Sequence, residues 1–464
     1  MATFIAILCA LSIVLCVPLI IWRPRWVFYT FLFSAVFNSI LAGYVNQAGN
    51  LGLPVTWGPA DFLALMTLMA AFFVPNESQY RSGMIKKCIM ILGILSVISL
   101  VQGFLMYPRD ALTNSRVVHF AAAAVFAMRY FTDYYRVKGL LKFSVAIIFI
   151  MFAIHFAIRI GIYSAPINEA ERIVDVGNLV GARGTNALIP MLYLVLVSVS
   201  IGRIVSKTGY LFISIFMLLV GLGGIVLSET RSTYGAVAVL IISALIFIRA
   251  RIKNTIIFSV VGMVVVIGAL VTGFDFLARF RTDYGKGDYA TPSFYELKNS
   301  WRGMEYETIL TSYKRSPYFL LTGRGIGAMH PAPNGPQGLV AFYHSEYLGW
   351  IDRCGLIGLF AAMFLFAASL FRSFVLARSE IPFLQYLGTT FFLLTIALAA
   401  DGVFHPVYSH YRAAALLISF VAITANWRDI YTSLTEEEQL FLEVPYLEFD
   451  EEFESDLSIP QVTS

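Results

Sequence analysis

The fold is decided by residues 210–249, YLFISIFMLLVGLGGIVLSETRSTYGAVAVLIISALIFIR. Two apolar runs, 210–228 and 233–249, flank the polar turn Glu229-Thr230-Arg231-Ser232. Each run is close to the roughly 20 residues that a helix needs to cross a hydrocarbon core. A connection this short makes the two runs antiparallel neighbours and holds Arg231 at the membrane surface. The pattern recurs along the whole chain. Candidate spans lie at 3–22, 26–45, 59–75, 88–106, 117–131, 143–163, 185–202, 210–228, 233–249, 255–274, 347–370, 384–400 and 411–426.

Composition agrees. Of 464 residues 58% are hydrophobic and 13% charged, with a mean hydropathy of +0.74. A soluble domain carries roughly 45–50% apolar and about 25% charged residues. That leaves too little polar surface for a soluble enzyme, a disordered chain or a nucleic-acid-binding module. The expectation is an all-α polytopic membrane protein with about thirteen transmembrane helices. Residues 1–22 lack a positive leading segment and run into Arg23-Pro24-Arg25, so they read as a first span and not as a removable signal. The four cysteines, Cys9, Cys16, Cys88 and Cys354, lie in or beside apolar runs and read as small core residues.

Charge sets the orientation. Alternate short loops are basic: Arg23/Arg25, Arg81/Lys86/Lys87, Arg136/Lys138/Lys142, Arg203/Lys207, Arg249/Arg251/Lys253 and Arg372/Arg378. The positive-inside rule makes this set cytoplasmic. The chain then divides into ten spans over 1–274, an outer loop over 275–344 and three spans over 345–426. Residues 427–464 form an acidic cytoplasmic tail that reads as disordered; ten of the 29 acids crowd between Glu436 and Asp456. The 275–344 segment is long, and long loops in compact proteins tend to be functional. Leu297, Trp301, Met304, Ile309 and Tyr313 recur at near-helical spacing, predicting an amphipathic helix over 295–316.

Four outward-facing arginines are candidates: Arg183, Arg231, Arg302 and Arg324. The guanidinium fork matches phosphate oxygens bidentately, and a charge near the bilayer needs a partner. A lipid headgroup or a neighbouring carboxylate would satisfy any one of them; Arg231 and Arg302 together, on the same outer face, favour a function. His344 stands where the outer loop enters the eleventh span. There the helix dipole keeps an imidazole neutral and able to accept a proton, although a hydrogen bond to a loop carbonyl is the plain alternative. Glu346, two residues on, is a rival base. His119 and His155 have apolar neighbours and read as satisfied core groups. No metal-ligand spacing is present in the outer loop.

These motifs, in this order and topology, resemble the bacterial O-antigen ligase and O-antigen polymerase family. Arg231-Ser232-Thr233-Tyr234-Gly235 looks like its Arg-x-x-x-Gly turn, and Arg183-Gly184-Thr185-Asn186 like a compressed upstream Arg-Gly…Asn segment. Gly323-Arg324-Gly325-Ile326-Gly327 matches a glycine-rich stretch before the histidine. His344-Ser345-Glu346-Tyr347-Leu348 followed by Gly355-Leu356-Ile357-Gly358 looks like His-Asn-x-x-Leu…Gly-x-x-Gly, with Ser345 where Asn is common. The resemblance spans about Gly181 to Gly358.

It implies a GT-C-like inverting glycosyltransferase of the bacterial inner membrane, with its site on the extracytoplasmic side. Glycan would pass from undecaprenyl diphosphate to an acceptor sugar hydroxyl, with no metal, cofactor or nucleic acid. Arg231, Arg302 and Arg324 would bind the donor diphosphate, His344 would act as base, and Arg183 and Glu346 would be secondary. A flippase and a chain-length regulator are the implied partners, alongside the lipid bilayer. Repeat-unit polymerisation is the leading reading and ligation of finished glycan to lipid A-core or protein the second. A transporter or flippase is the rival class; it calls for charges deep in mid-span, whereas the cations here lie near span ends.

The orientation has a direct test. In intact spheroplasts an impermeant thiol reagent should label Asn334→Cys; labelling only after lysis would overturn the topology and every assignment that depends on it.

Overall fold

The computed structural model describes residues 2–38, 40–41, 44–45, 58–75, 83–113, 117–160, 162–163, 190–228, 231–247, 301–331, 339–340, 345–403 and 411–434. The helices are α1 (Ala2–Trp22), α2 (Pro24–Val36), α3 (Pro59–Phe73), α4 (Met84–Met106), α5 (Pro108–Thr113), α6 (Val117–Tyr130) and α7 (Tyr134–Arg159). After a 3-10 turn at Pro190–Leu192 come α8 (Tyr193–Ser206), α9 (Leu211–Ser228) and α10 (Arg231–Phe247). Then follow α11 (Trp301–Arg315), α12 (Tyr318–Thr322), α13 (Glu346–Ala377), α14 (Pro382–Asp401), α15 (Tyr411–Thr424) and α16 (Trp427–Thr432). Among the described residues the only strands are β1 (His330–Pro331) and β2 (Leu339–Val340), paired antiparallel.

Among the described residues six helices, α1, α4, α7, α9, α13 and α14, are long and apolar enough to cross a membrane; α3, α6, α8, α10 and α15 are shorter apolar helices. The span expected at 255–274 lies outside the described residues. Large apolar side chains face outward along the helices, with Leu105 and Phe212 each 81% exposed. Such a surface suits lipid and not water, and the chain is an integral membrane protein.

Helix starts follow local chemistry. Proline occupies the first turn of α2, α3 and α14, where its missing N–H costs nothing and its φ already suits a helix. Asp133 caps α7 by accepting from the Arg136 N–H at 2.9 Å.

Packing follows from small residues, because lipid tails are as apolar as the side chains and leave no hydrophobic force between helices. Gly388 brings α14 against the backbone of Leu376 and Ala377 in α13, and Gly202 of α8 sits beneath Tyr386 and Thr390 of α14. The α14 helix contacts α8, α10, α13 and α15, and is the hub of the C-terminal half. In the N-terminal half α3 packs on α1, α2 and α6, while Phe28 and Phe126 stack at 4.5 Å between α2 and α6. The two halves meet through α4 on α13 and α15 on α2 and α6.

One expectation is corrected. The segment read as a solvated tail begins with α16, where Ile430 is fully buried and Asp429 and Leu434 are nearly so. Tyr134 N–H donates to Ser433 Oγ at 2.8 Å, tying this turn to the start of α7. Trp427, Ile430 and Leu434 recur at three- and four-residue spacing, which gives the turn an apolar face. Residues 435–464 lie outside the described residues.

His119 and His155 occupy the core. His119 Nε2 donates to Asp61 Oδ1 at 2.9 Å, and Asp61 Oδ2 also accepts from the Gly58 N–H at 2.7 Å. His155 Nδ1 lies 3.2 Å from the Tyr193 hydroxyl. Asp61→Ala removes the acceptor of two buried donors, each worth about 1–3 kcal/mol when left without one. Thermal unfolding in detergent should therefore fall clearly for Asp61→Ala and less for Asp61→Asn, which retains a carbonyl acceptor.

Candidate functional site

Several chain segments converge at one end of the bundle. The start of α13 is stitched to the end of α14: the Glu346 N–H donates to the Gly402 carbonyl at 2.9 Å, and the Tyr347 hydroxyl to the Ala399 carbonyl at 2.6 Å. Near its own C-terminus α8 touches the early part of α14 through Gly202, so the start of α8 lies at the same end as Asp401. The Tyr193 ring at that start packs over Gly224 near the end of α9. Ser228, ending α9, and Arg231, opening α10, therefore share this end with Glu346 and Gly402.

The loop Gly323-Arg324-Gly325-Ile326-Gly327 is wedged there between α4 and α13. All three glycines take positive φ, at 77°, 94° and 96°, where a side chain would be strained. The Ile326 N–H donates to the Ser99 carbonyl of α4 at 3.0 Å, and Gln102 Nε2 donates to the Gly323 carbonyl at 3.0 Å. Gly103 lies directly beneath Ile326, with no room for a Cβ.

On the other side the loop is locked to α13 by a buried ion pair. Arg324 Nε donates to Asp352 Oδ1 at 2.6 Å, and its Nη1 to the Met329 carbonyl at 3.0 Å. Arg324 and Asp352 are 8% and 2% exposed, so neither charge is met by water. The Arg324 N–H also donates to the Asp352 carbonyl at 2.6 Å. Gly355, at φ 67°, kinks α13 just after this point. The kink turns the carbonyls of Asp352 and Arg353 away from helical partners, and Ser99 Oγ donates to the second at 2.7 Å.

The helix α11 lies over this assembly. Ile309 packs with Leu348, and Tyr313 and Ile351 join them. Burial and the neighbouring Asp352 charge push the Tyr313 phenol well above the ordinary range, against an opposing pull from Arg324, so it stays protonated. Its hydroxyl is buried with no hydrogen-bond partner among the described residues.

The sequence candidates fall out unevenly. Arg231 is the first residue of α10, where the positive end of the helix dipole favours anions. Arg302 lies in the first turn of α11, which begins at Trp301; the part of the expected amphipathic helix before it lies outside the described residues. Arg324 is committed to Asp352 and the Met329 carbonyl, so its ordering of the loop is structural. Glu346 is fully buried in the first turn of α13 and accepts from the Trp350 indole N–H. Arg183 and His344 lie outside the described residues. Among the described residues no three His, Cys, Asp or Glu side chains gather as a metal site.

Asp352 is the residue that sequence reasoning passed over. Its signal was present: an acid inside the apolar run 347–370 is costly in a membrane and needs a named partner. Breaking a buried pair by removing one partner costs about 3–5 kcal/mol, whereas replacing both with apolar groups is often neutral. Asp352→Ala should therefore lose most of its thermal stability in detergent, and the double variant Arg324→Met/Asp352→Leu should regain it.

Residues 215–363 match the family model described as O-antigen ligase. That stretch begins in α9, takes in the turn before Arg231, the α11 helix and the glycine loop, and ends in α13 beyond its kink. A search of curated proteins gave no match. The matched stretch coincides with the segments that build this end of the bundle, and over it the chain is similar to the O-antigen ligase family.

Proposed function

We propose that this protein transfers glycan from a polyprenyl diphosphate to an acceptor sugar hydroxyl on the extracytoplasmic face of a bacterial inner membrane. The match to the O-antigen ligase model over residues 215–363 supports a membrane glycan-transferring enzyme of the O-antigen pathway. One observation carries the finer reading. Arg231 opens α10 and Arg302 lies in the first turn of a helix packed on α13, and both segments belong to the end of the bundle that the glycine loop closes.

A diphosphate leaving group carries charge that must be met as the glycosidic bond breaks. Two arginines, one opening a helix and one in the first turn of another, suit that task. The acceptor oxygen attacks the anomeric carbon, the bond from that carbon to the phosphate oxygen breaks, and polyprenyl diphosphate departs. Direct displacement inverts the anomeric configuration. The proton leaving the acceptor hydroxyl passes to His344, whose neighbour Ser345 is anchored beside Gly402 by its hydroxyl at 3.4 Å. A buried Glu346 bonded to Trp350 suits positioning of this turn better than proton transfer. No metal is assigned a part in this scheme, and a GT-C-like arrangement of thirteen spans remains part of the proposal.

Joining one lipid-linked repeat unit to another is the reading we adopt for the acceptor. Deleting the gene and examining the surface glycan tests it: single repeat units on the surface mean polymerase, and full-length chains left on the lipid carrier mean ligase.

The site residues are tested in the purified protein with lipid-linked glycan as donor. Arg231→Lys and Arg302→Lys keep the charge but lose the fork, so both should be slow and the alanine variants slower. His344→Ala should lose about 10²–10⁴ in rate while still binding donor, and should lose the acidic limb of its pH–rate profile. A correctly inserted Arg231→Ala/Arg302→Ala variant working at the wild-type rate would overturn the diphosphate role. Normal turnover by His344→Gln beside a dead Glu346→Gln would move the base to Glu346.

A further inference from the structure

A cavity of about 700 Å³ opens between α4 and α6. Its walls are Ile89, Met90, Gly93, Ile94, Val97 and Ile98 of α4, facing residues of α6 from Phe120 to Met128. Lys86 and Arg129 close one end. That both cations share an end follows from their neighbours. Asp429 acts electrostatically on Lys86, and Asn426, three residues earlier, donates to the carbonyls of Met128 and Phe131 at 3.0 Å each. The glycine loop meets α4 at Ser99 and Gly103, beyond the other end.

The groove is not a packing defect. Gly93 lies mid-helix, where glycine costs about 1 kcal/mol relative to alanine, yet a Cβ there would meet nothing within 4 Å. Among the described residues no neighbouring helix requires the missing side chain. Together with Ala121 and Ala124 opposite, it gives the groove its depth. The volume falls in the roughly 300–1,000 Å³ range of built ligand sites.

Size and charge together select the occupant. From Lys86 to Ile98 the groove runs about 18 Å at 1.5 Å per residue. That matches one leaflet, about half of the 30 Å hydrocarbon core. The lining is apolar along this length and cationic only at the end marked by the basic loops. Asp429 offsets part of the Lys86 charge. Arg129 keeps a net positive charge: its Nη2 donates to the Val74 carbonyl at 3.0 Å, and its buried Nε has no partner among the described residues. Basic pockets between transmembrane helices at the cytoplasmic surface bind anionic headgroups.

We infer that this groove binds one anionic phospholipid of the leaflet on the basic-loop side. Its headgroup phosphate meets Arg129 and Lys86, and one acyl chain lies along Gly93, Ala121 and Ala124. The site is separate from glycan transfer, and its test reads lipid retention alone.

The full-length protein is placed in nanodiscs of equal phosphatidylglycerol and phosphatidylcholine, re-extracted in mild detergent, and its retained lipid is quantified by mass spectrometry. Wild type should keep phosphatidylglycerol over phosphatidylcholine by roughly tenfold or more. Lys86→Gln/Arg129→Gln should lose that preference. Gly93→Phe, which fills open space and disturbs no packed neighbour, should lose the retained lipid itself, while Gly93→Ala keeps it. Phosphatidylglycerol should also raise the thermal unfolding temperature of wild type and not that of Gly93→Phe. Equal retention of both lipids by wild type, unchanged preference in the charge variant, or unchanged retention in Gly93→Phe would each overturn the assignment.

Discussion

The ion pair between Arg324 and Asp352 is the contact on which the site end of the bundle depends. A charge taken out of water beside a bilayer must be met by an opposite charge and hydrogen bonds, or the group does not stay there. Asp352 is fixed in α13, so Arg324 must come to it. To bring it there the chain has to pass between two helices with its backbone turned three times through positive φ, which explains a glycine at 323, 325 and 327. The same demand explains Gly103 beneath the loop and Gly355 beside it, since a side chain at either would push the loop out. One electrostatic requirement thus fixes five glycines and the kink in α13.

With the loop locked, the remaining parts of the site inherit their positions. The α11 helix leans on α13 through Ile309 and Leu348, and the start of α13 is sewn to the end of α14. The α14 helix is placed by close backbone contact at Gly388 and at Gly202 of α8, so the site end rests on small residues well away from it. Apart from the apolar contact of α11 on α13, this chain of contacts does not rely on excluding water between helices. It relies on close approach and on hydrogen bonds that have no competitor in lipid.

The two ends of the molecule are therefore built differently. At the site end, Arg324, Asp352 and Glu346 meet partners within the protein, and Tyr313 stays neutral beside the ion pair. At the other end, cations line the mouth of an apolar groove, and α16 adds a buried turn that ties α7 to the bundle.

Much of this was legible in the sequence, because the bilayer is a severe solvent. Apolar runs of the right length, cations in alternate loops, the Arg231 turn and the α11 helix were all readable from composition and periodicity, which depend on local order alone. The resemblance to the O-antigen ligase family followed from short motifs in a fixed order. Two things were not readable. One was the role of Arg324, whose partner is 28 residues away in another helix, and that of Asp352, hidden in an apolar run. The other was the groove at Gly93, since a glycine that makes room and a glycine that fits a neighbour look the same in one dimension. Both depend on what lies opposite in space. Local chemistry settles which segments enter the membrane and which face they expose; which buried charge meets which, and where space is left open, is decided only when the helices pack.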